Sequence, residues 1–252
     1  MNRVIAENFK AIAAHLDDGI INFDTTGTPF GNQDRNSLKL FEIEGKTINV
    51  KSFKVPNFIN QIAYRFFRKS KAQRSYDYAK KLTNLNIGTP QPIAYYEFKT
   101  ALLFKKSYYV SEQLDYDLTY RELTTDLNYP NHEEILRAFT RFTYNLHEKN
   151  INFLDHSPGN TLIKVNDSNY NFYLVDLNRM QFGFMNFETR IKNFAKLTTH
   201  KSMVKVMSDE YSKCCNQPYD KVFSLMWNAT QTFQEKYYRK KRLKKKLKFW
   251  KT

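Results

Sequence analysis

Three residues have the types and spacing that phosphoryl transfer would need. Asp155 and Asn160 lie five apart in Phe153-Leu154-Asp155-His156-Ser157-Pro158-Gly159-Asn160. Asp176 follows the apolar run Tyr173-Leu174-Val175. Phosphoryl transfer asks for one carboxylate beside the acceptor hydroxyl. It also asks for a second carboxylate and an amide oxygen to hold Mg²⁺ on the phosphates. Hard oxygen donors of this kind suit Mg²⁺. An isolated Asp-x4-Asn is usually an Asx-turn or a loop cap. The helix before it and Asp176 after it favour the chemical reading. His156, inside the same loop, is read as shaping the loop or meeting the acceptor. Arg179 is a candidate contact for phosphate or an acidic substrate.

The elements that must position these residues can be read from periodicity. Residues 1–20 read as a short helix and 27–35 as a turn or loop. Leu38 to Ile43 and Thr47 to Phe53 read as two strands joined by Glu44-Gly45-Lys46. Ile59 to Leu85 has helical spacing and stops at Asn86-Ile87-Gly88-Thr89-Pro90. Ile93 to Phe98 and Leu102 to Val110 read as a second hairpin. Glu133 to Lys149 is an amphipathic helix with Ile135, Phe139, Phe142 and Leu146 on one face. A loop over 152–160 and short strands over 161–165 and 171–175 follow, and from Phe187 the pattern is helical. A β-rich half followed by a helical half predicts an α+β chain of two lobes with a cleft between them.

Composition removes several other classes. The 252 residues contain seven glycines, none closer than four apart, so no G-x-G-x-x-G loop exists. No Walker-type P-loop occurs either. Cys214 and Cys215 are the two cysteines and are adjacent, so there is no disulfide framework or zinc pair, and a reducing compartment is expected. The N-terminus lacks an apolar stretch of signal-peptide length. The net charge of +15 is concentrated in one place, because residues 236–251 carry ten Lys/Arg and no acid. The remainder holds 30 basic and 25 acidic residues, a net of only +5. In that tail Leu243, Leu247 and Trp250 fall on one helical face. This is the pattern of a basic amphipathic helix on an anionic membrane. A solvated tail and a nucleic-acid arm are the rival readings, and no nucleic-acid motif accompanies the charge.

Taken together, Asp155-x-x-Pro158-Gly159-Asn160-x-Leu162-Ile163 and Leu174-Val175-Asp176-x-Asn178-Arg179 resemble the lipopolysaccharide core kinases. That group, the Kdo/heptose kinases, belongs to the protein-kinase-like superfamily. The first half agrees with it. Asn49-Val50-Lys51-Ser52-Phe53 resembles the strand that bears the nucleotide lysine. Residues 69–79 and the turn Thr89-Pro90-Gln91-Pro92-Ile93-Ala94 resemble the long helix and the turn after it. The resemblance spans roughly residues 35 to 185. Three positions depart from the pattern. Phe153 stands where a histidine is usual, Asn178 where a glycine is usual, and only Gly27 and Gly31 are near the place of the glycine loop.

The resemblance implies a two-lobed protein-kinase-like fold, with a β-rich N-lobe over 1–112, a mainly helical C-lobe over 113–235 and the basic tail over 236–252. It implies ATP and Mg²⁺ as cofactors and a sugar hydroxyl of the lipid A–inner core as acceptor. Asp155 would accept the hydroxyl proton, and Asn160 and Asp176 would hold Mg²⁺. Lys51 would contact the ATP phosphates, with Lys54 as its rival, and Asp77 is the chosen acid to pair with it. Backbone groups from Glu112 to Leu114 would meet adenine. The basic tail suits a peripheral enzyme meeting an anionic glycolipid at the cytoplasmic face of the inner membrane. Phosphotransfer to another small molecule or to protein, and an inactive kinase-like binding module, are the alternatives.

Overall fold

The computed structural model describes residues 1–31, 36–166 and 169–249 and divides into two compact units. Trp250 and the end of the basic tail lie outside the described residues, as do residues 32–35 of the expected loop. The first unit comprises residues 1–115 together with Leu174–Arg179. The second comprises residues 116–173 and 180–252.

The first unit opens with β1 (Asn2–Ile5), a 3-10 turn (Glu7–Ile12) and α1 (Ala13–Ile21). The single helix expected over 1–20 is therefore corrected. Asn2 to Ile5 pair antiparallel with β5, and edge pairing of this kind is a tertiary effect that local periodicity does not register. β2 (Thr28–Pro29), β3 (Asn36–Ile43) and β4 (Lys46–Phe53) follow. The β3–β4 turn has φ 49° at Glu44 and 73° at Gly45, the left-handed pair that a tight hairpin requires. Next come α2 (Phe58–Phe66), α3 (Lys71–Asn84), β5 (Pro92–Lys99) and β6 (Phe104–Glu112). The one long helix expected over 59–85 is thus two. α2 closes where the Phe67 and Arg68 N–H groups both donate to the Ala63 carbonyl, and Ser70 caps α3, its hydroxyl accepting from the Gln73 N–H at 3.0 Å.

The sheet order is β1-β5-β6-β4-β3-β2. One face carries a core of Phe9, Ile12, Leu16 and Ile20 against Ile48, Val50, Tyr96 and Val110. The other carries α3, whose buried residues are Ala72, Ser75, Tyr76, Ala79 and Leu82, with Tyr76 ringed against Tyr95 at 5.5 Å. Side chains alternate along a strand. Ile48 and Val50 face the first core, so Lys51 faces the α3 side, paired across the sheet with Tyr109.

The second unit holds β7 (Leu118–Thr119), α4 (Tyr120–Thr125), α5 (His132–Glu148), β8 (Ile151–Phe153), a 3-10 turn (Pro158–Asn160), β9 (Thr161–Asn166) and β10 (Asn169–Leu174). Then come β11 (Met180–Phe182), α6 (Phe187–Lys192), α7 (Lys201–Cys215) and α8 (Tyr219–Phe249). Its core joins Phe139 and Leu136 of α5 to Phe172, Phe194, Met207 and Tyr211. Arg137 ties α5 to α7 through Asp209 at 2.5 Å and Glu210 at 3.1 Å. The basic tail is the continuation of α8, exposed on all sides from Lys236 to Lys245.

Candidate functional site

In the first unit Lys51 Nζ lies 2.8 Å from Asp176 Oδ1. The lysine is well covered, with a side chain 15% exposed, while that of Asp176 is 35% exposed. A covered β-strand lysine facing a carboxylate brings together the two charges that the sequence assigned to nucleotide and metal. The segment 174–179 is fixed from three points. Leu174 N–H donates to the Gly88 carbonyl at 2.9 Å, the Thr89 hydroxyl donates to the Leu174 carbonyl at 2.9 Å, and Arg74 Nε donates to the Asn178 carbonyl at 3.1 Å. Asp176 itself has φ 58°, a left-handed conformation that aspartate tolerates better than most residues and that concentrates at functional positions. Asn178 Nδ2 donates to Asp176 Oδ1 at 2.7 Å. This residue replaces the glycine of the usual pattern, and it braces the carboxylate.

Asp77 has a different partner from the expected one. It pairs with Lys69 at 2.7 Å, while Lys51 goes to Asp176. Lys69 stands just before the α3 cap and reaches one helical face of α3, the face that carries Asp77. Helical position alone does not tell which cation is nearer. At the end of β6, Glu112 N–H donates to the Gln91 carbonyl at 3.0 Å and Gln113 N–H to the Thr47 carbonyl at 2.9 Å. Gln113 Nε2 donates to the Leu114 carbonyl at 3.2 Å, and the Leu114 N–H has no partner among the described residues.

In the second unit β8 leads into the Asp155 loop. Asn160 Nδ2 donates to the Asp155 carbonyl at 2.8 Å, which leaves its Oδ1 as the available acceptor. Lys196 Nζ donates to the Leu154 carbonyl at 2.5 Å and lies 3.8 Å from Asp155 Oδ1. Sequence spacing gave no sign of Lys196, which arrives from forty-one residues downstream. Gly159 is closely approached by Arg121, whose Nη2 would sit 2.5 Å from an added Cβ.

The loop is held from below by Asn193. Its Nδ2 donates to the Phe153 carbonyl at 2.9 Å and to Asn152 Oδ1 at 3.0 Å. Its Oδ1 must then accept, from His156 Nδ1 at 3.0 Å and His147 Nε2 at 3.3 Å. Tyr211 donates its hydroxyl to His147 Nδ1 at 2.8 Å. Both imidazoles are neutral and internal. Burial pushes His156 down to about 4 and His147 down to about 3. His156 Nε2 is buried without a hydrogen-bond partner, against Phe139 at 5.3 Å and Phe153 at 5.8 Å. His156 therefore serves the loop from inside. Phe153, wholly buried, packs where the pattern usually has a histidine.

The donor chemistry fits a divalent oxygen-seeking ion. Both contacts to Asp176 fall on Oδ1, so Oδ2 remains for a cation. Among the described residues no group of three or more His, Cys, Asp or Glu is placed to hold a metal. The Asp176 carboxylate of the first unit and the Asn160 amide oxygen of the second are each the hard oxygen type of donor that Mg²⁺ takes.

A family model, Lipopolysaccharide kinase (Kdo/WaaP) family, matches residues 40–215. The chain belongs to this family. Its motifs, from the Lys51 strand to the Asp176 segment, all fall inside that span. Among solved structures, one described as WaaP in complex with acyl carrier protein superposes with a TM-score of 0.64. It is 16% identical in sequence, and the match covers 95% of this chain and 99% of that one, which establishes a common fold. No curated protein matches the chain. Membership makes the chain a kinase-family phosphotransferase of lipopolysaccharide biosynthesis, with a β-rich N-terminal part and a helical C-terminal part. No described helix is long and apolar enough to cross a membrane.

Proposed function

We propose that this kinase transfers the γ-phosphoryl group of ATP to a sugar hydroxyl of the lipopolysaccharide inner core, on Kdo or heptose attached to lipid A. The observation that carries this reading is the covered Lys51–Asp176 pair, held by Asn178 and Arg74. Lys51 binds the ATP phosphates, and the N–H of Leu114 is the donor offered to adenine. Asp176 and Asn160 are the proposed ligands of Mg²⁺, which when bound neutralises charge on the phosphate oxygens. Asp155 orients the acceptor hydroxyl and takes its proton as the new O–P bond forms and the bond to ADP breaks. The carbonyl contacts of Asn160 and Lys196 fix the backbone that carries it. The kinase works as a peripheral protein at the cytoplasmic membrane face, with the basic end of α8 on anionic lipid.

Calorimetric titration with Mg²⁺ and a non-hydrolysable ATP analogue tests the division of labour. Lys51→Met is expected to weaken nucleotide binding by about ten-fold or more, the worth of one charge-assisted contact. Asp155→Asn is expected to bind nucleotide as the native protein does while losing acceptor-dependent ADP release. Nucleotide affinity unchanged by Lys51→Met would refute the assignment.

A further inference from the structure

The outer face of α2 has no explanation in the kinase reading. An amphipathic helix ordinarily turns its apolar arc inward. In α2 no residue is buried, and Phe58, Ile59 and Phe66, with Phe67 at its end, are 64%, 76%, 53% and 82% exposed. At 100° per residue Phe58, Ile59, Ile62 and Phe66 fall on one side of the helix, and Phe67 follows at its C-cap. Other residues of the helix make the attachment. Tyr64 meets Phe104 of β6 at 5.7 Å and Arg74 at 5.9 Å, and Arg65 Nε donates to the Thr100 carbonyl in the β5–β6 turn at 3.0 Å. That turn adds Leu102, 68% exposed, and the lead into α2 adds Val55, 40% exposed. A contiguous surface of large apolar side chains is rare on a protein that has no use for it.

The charge around this surface has one sign. Residues 45–76 contain eight Lys/Arg and no Asp or Glu. Lys54, Arg68 and Lys69 are exposed beside the apolar residues, and Asp77, at the far edge, pairs with Lys69. Apolar side chains set among cations match the boundary layer of an anionic bilayer, whose acyl region takes the apolar groups and whose headgroups take the charges. From this complementarity we infer that α2 and the β5–β6 turn form a membrane-docking surface, a second lipid contact separate from the basic end of α8. Phe58, Ile59, Phe66 and Phe67 enter the headgroup–acyl boundary, and Lys54, Arg68 and Lys69 meet lipid phosphates.

Co-sedimentation of the full chain with vesicles of phosphatidylcholine alone, or of phosphatidylcholine with phosphatidylglycerol, tests the inference. It needs neither nucleotide nor acceptor and is independent of the kinase reading. Ile59→Ser with Phe67→Ser should lower partition onto phosphatidylglycerol vesicles by about ten-fold, at low and at high salt alike, because the lost part is apolar. A second variant, Phe67→Trp, should keep native binding and add a blue-shifted emission component on those vesicles. That reading holds even if the serine variant folds poorly. Native sedimentation of a folded serine variant, or no emission shift from Phe67→Trp, would overturn the inference. So would a serine variant that keeps vesicle binding but loses self-association or binding to a small acidic protein, either of which would assign the face to a protein partner.

Discussion

At the scale of single residues, the chemistry rests on few atoms and should be sharply sensitive to them. Asp155→Asn keeps the size of the side chain and removes the proposed base, so turnover should fall by about two to four orders of magnitude. The steady-state rate of ADP release, with nucleotide affinity unchanged, checks this. The buried imidazoles give a stability prediction. His156 and His147 have folded values near 4 and 3, below the ordinary 6.5 of the unfolded chain. Between those values the unfolded chain binds protons that the folded chain refuses. Their full contribution is therefore present above about pH 6.5 and is lost as pH falls toward about 4 for His156 and about 3 for His147, at up to about 1.4 kcal/mol per pH unit for each imidazole. Urea midpoints at pH 7 and pH 5 should show this fall, and His156→Gln should shallow it. Asp155, Asn160 and Asp176 could be singled out in the sequence as candidates because they sit in short local motifs. Asn193, Lys196 and Arg74 could not, since each reaches its target from a distant segment. The choice of Asp77 for Lys51 failed to anticipate Lys69 for a different reason, since Lys69 is a near neighbour in sequence and helical position does not tell which cation is nearer.

At the scale of elements, two local devices position the site. Ser70, itself almost wholly buried, starts α3 by capping it, and α3 carries Arg74 to the Asn178 carbonyl. Ser70→Ala should cost about 1 kcal/mol, a fall in melting temperature of about 2–4 °C by calorimetry. Gly27 has φ 75°, and an added Cβ would stand 2.6 Å from the Phe41 ring. Gly27→Ala should destabilise the first unit by about 1–3 kcal/mol through backbone strain and displacement of that ring. The same melting experiment reads it, and no change would show that the turn relaxes freely. Most elements were legible from periodicity, including the two hairpins and α5. The departures have physical causes. β1 exists because β5 offers an open edge to Asn2–Ile5. Between α2 and α3, inside a run of good helical spacing, the Phe67 and Arg68 N–H groups turn back to the Ala63 carbonyl and the Ser70 hydroxyl caps the next helix.

At the scale of the whole molecule, the division of charge was the plainest sequence signal, and the structure gives it a shape. Nine of the ten basic residues of 236–251, those up to Lys248, prolong α8, which runs as far as Phe249. Truncation after Glu235 should weaken binding to anionic vesicles and flatten its dependence on salt, because the contact it removes is electrostatic. Sedimentation across a salt series checks this, and an unchanged slope would reassign the attraction to the body. The two-part organisation was legible from the change in pattern near residue 112. The assignment of Leu174–Arg179 to the first unit was not, because chain order places those residues after β10, and contacts with Lys51, Gly88, Thr89 and Arg74 draw them back.

The central claim is that a phosphoryl group passes from ATP to a sugar hydroxyl of the lipid A–core, with Asp155 as the base. The direct measurement is mass spectrometry of Kdo-bearing or heptose-bearing lipid A after incubation with the full chain, ATP and Mg²⁺, beside Asp155→Asn and Asp176→Asn. The predicted result is one added phosphoryl mass on the sugar with the native protein and none with either variant. Phosphorylated acceptor in undiminished yield from Asp155→Asn, or ATP consumed with the acceptor unmodified, would contradict it.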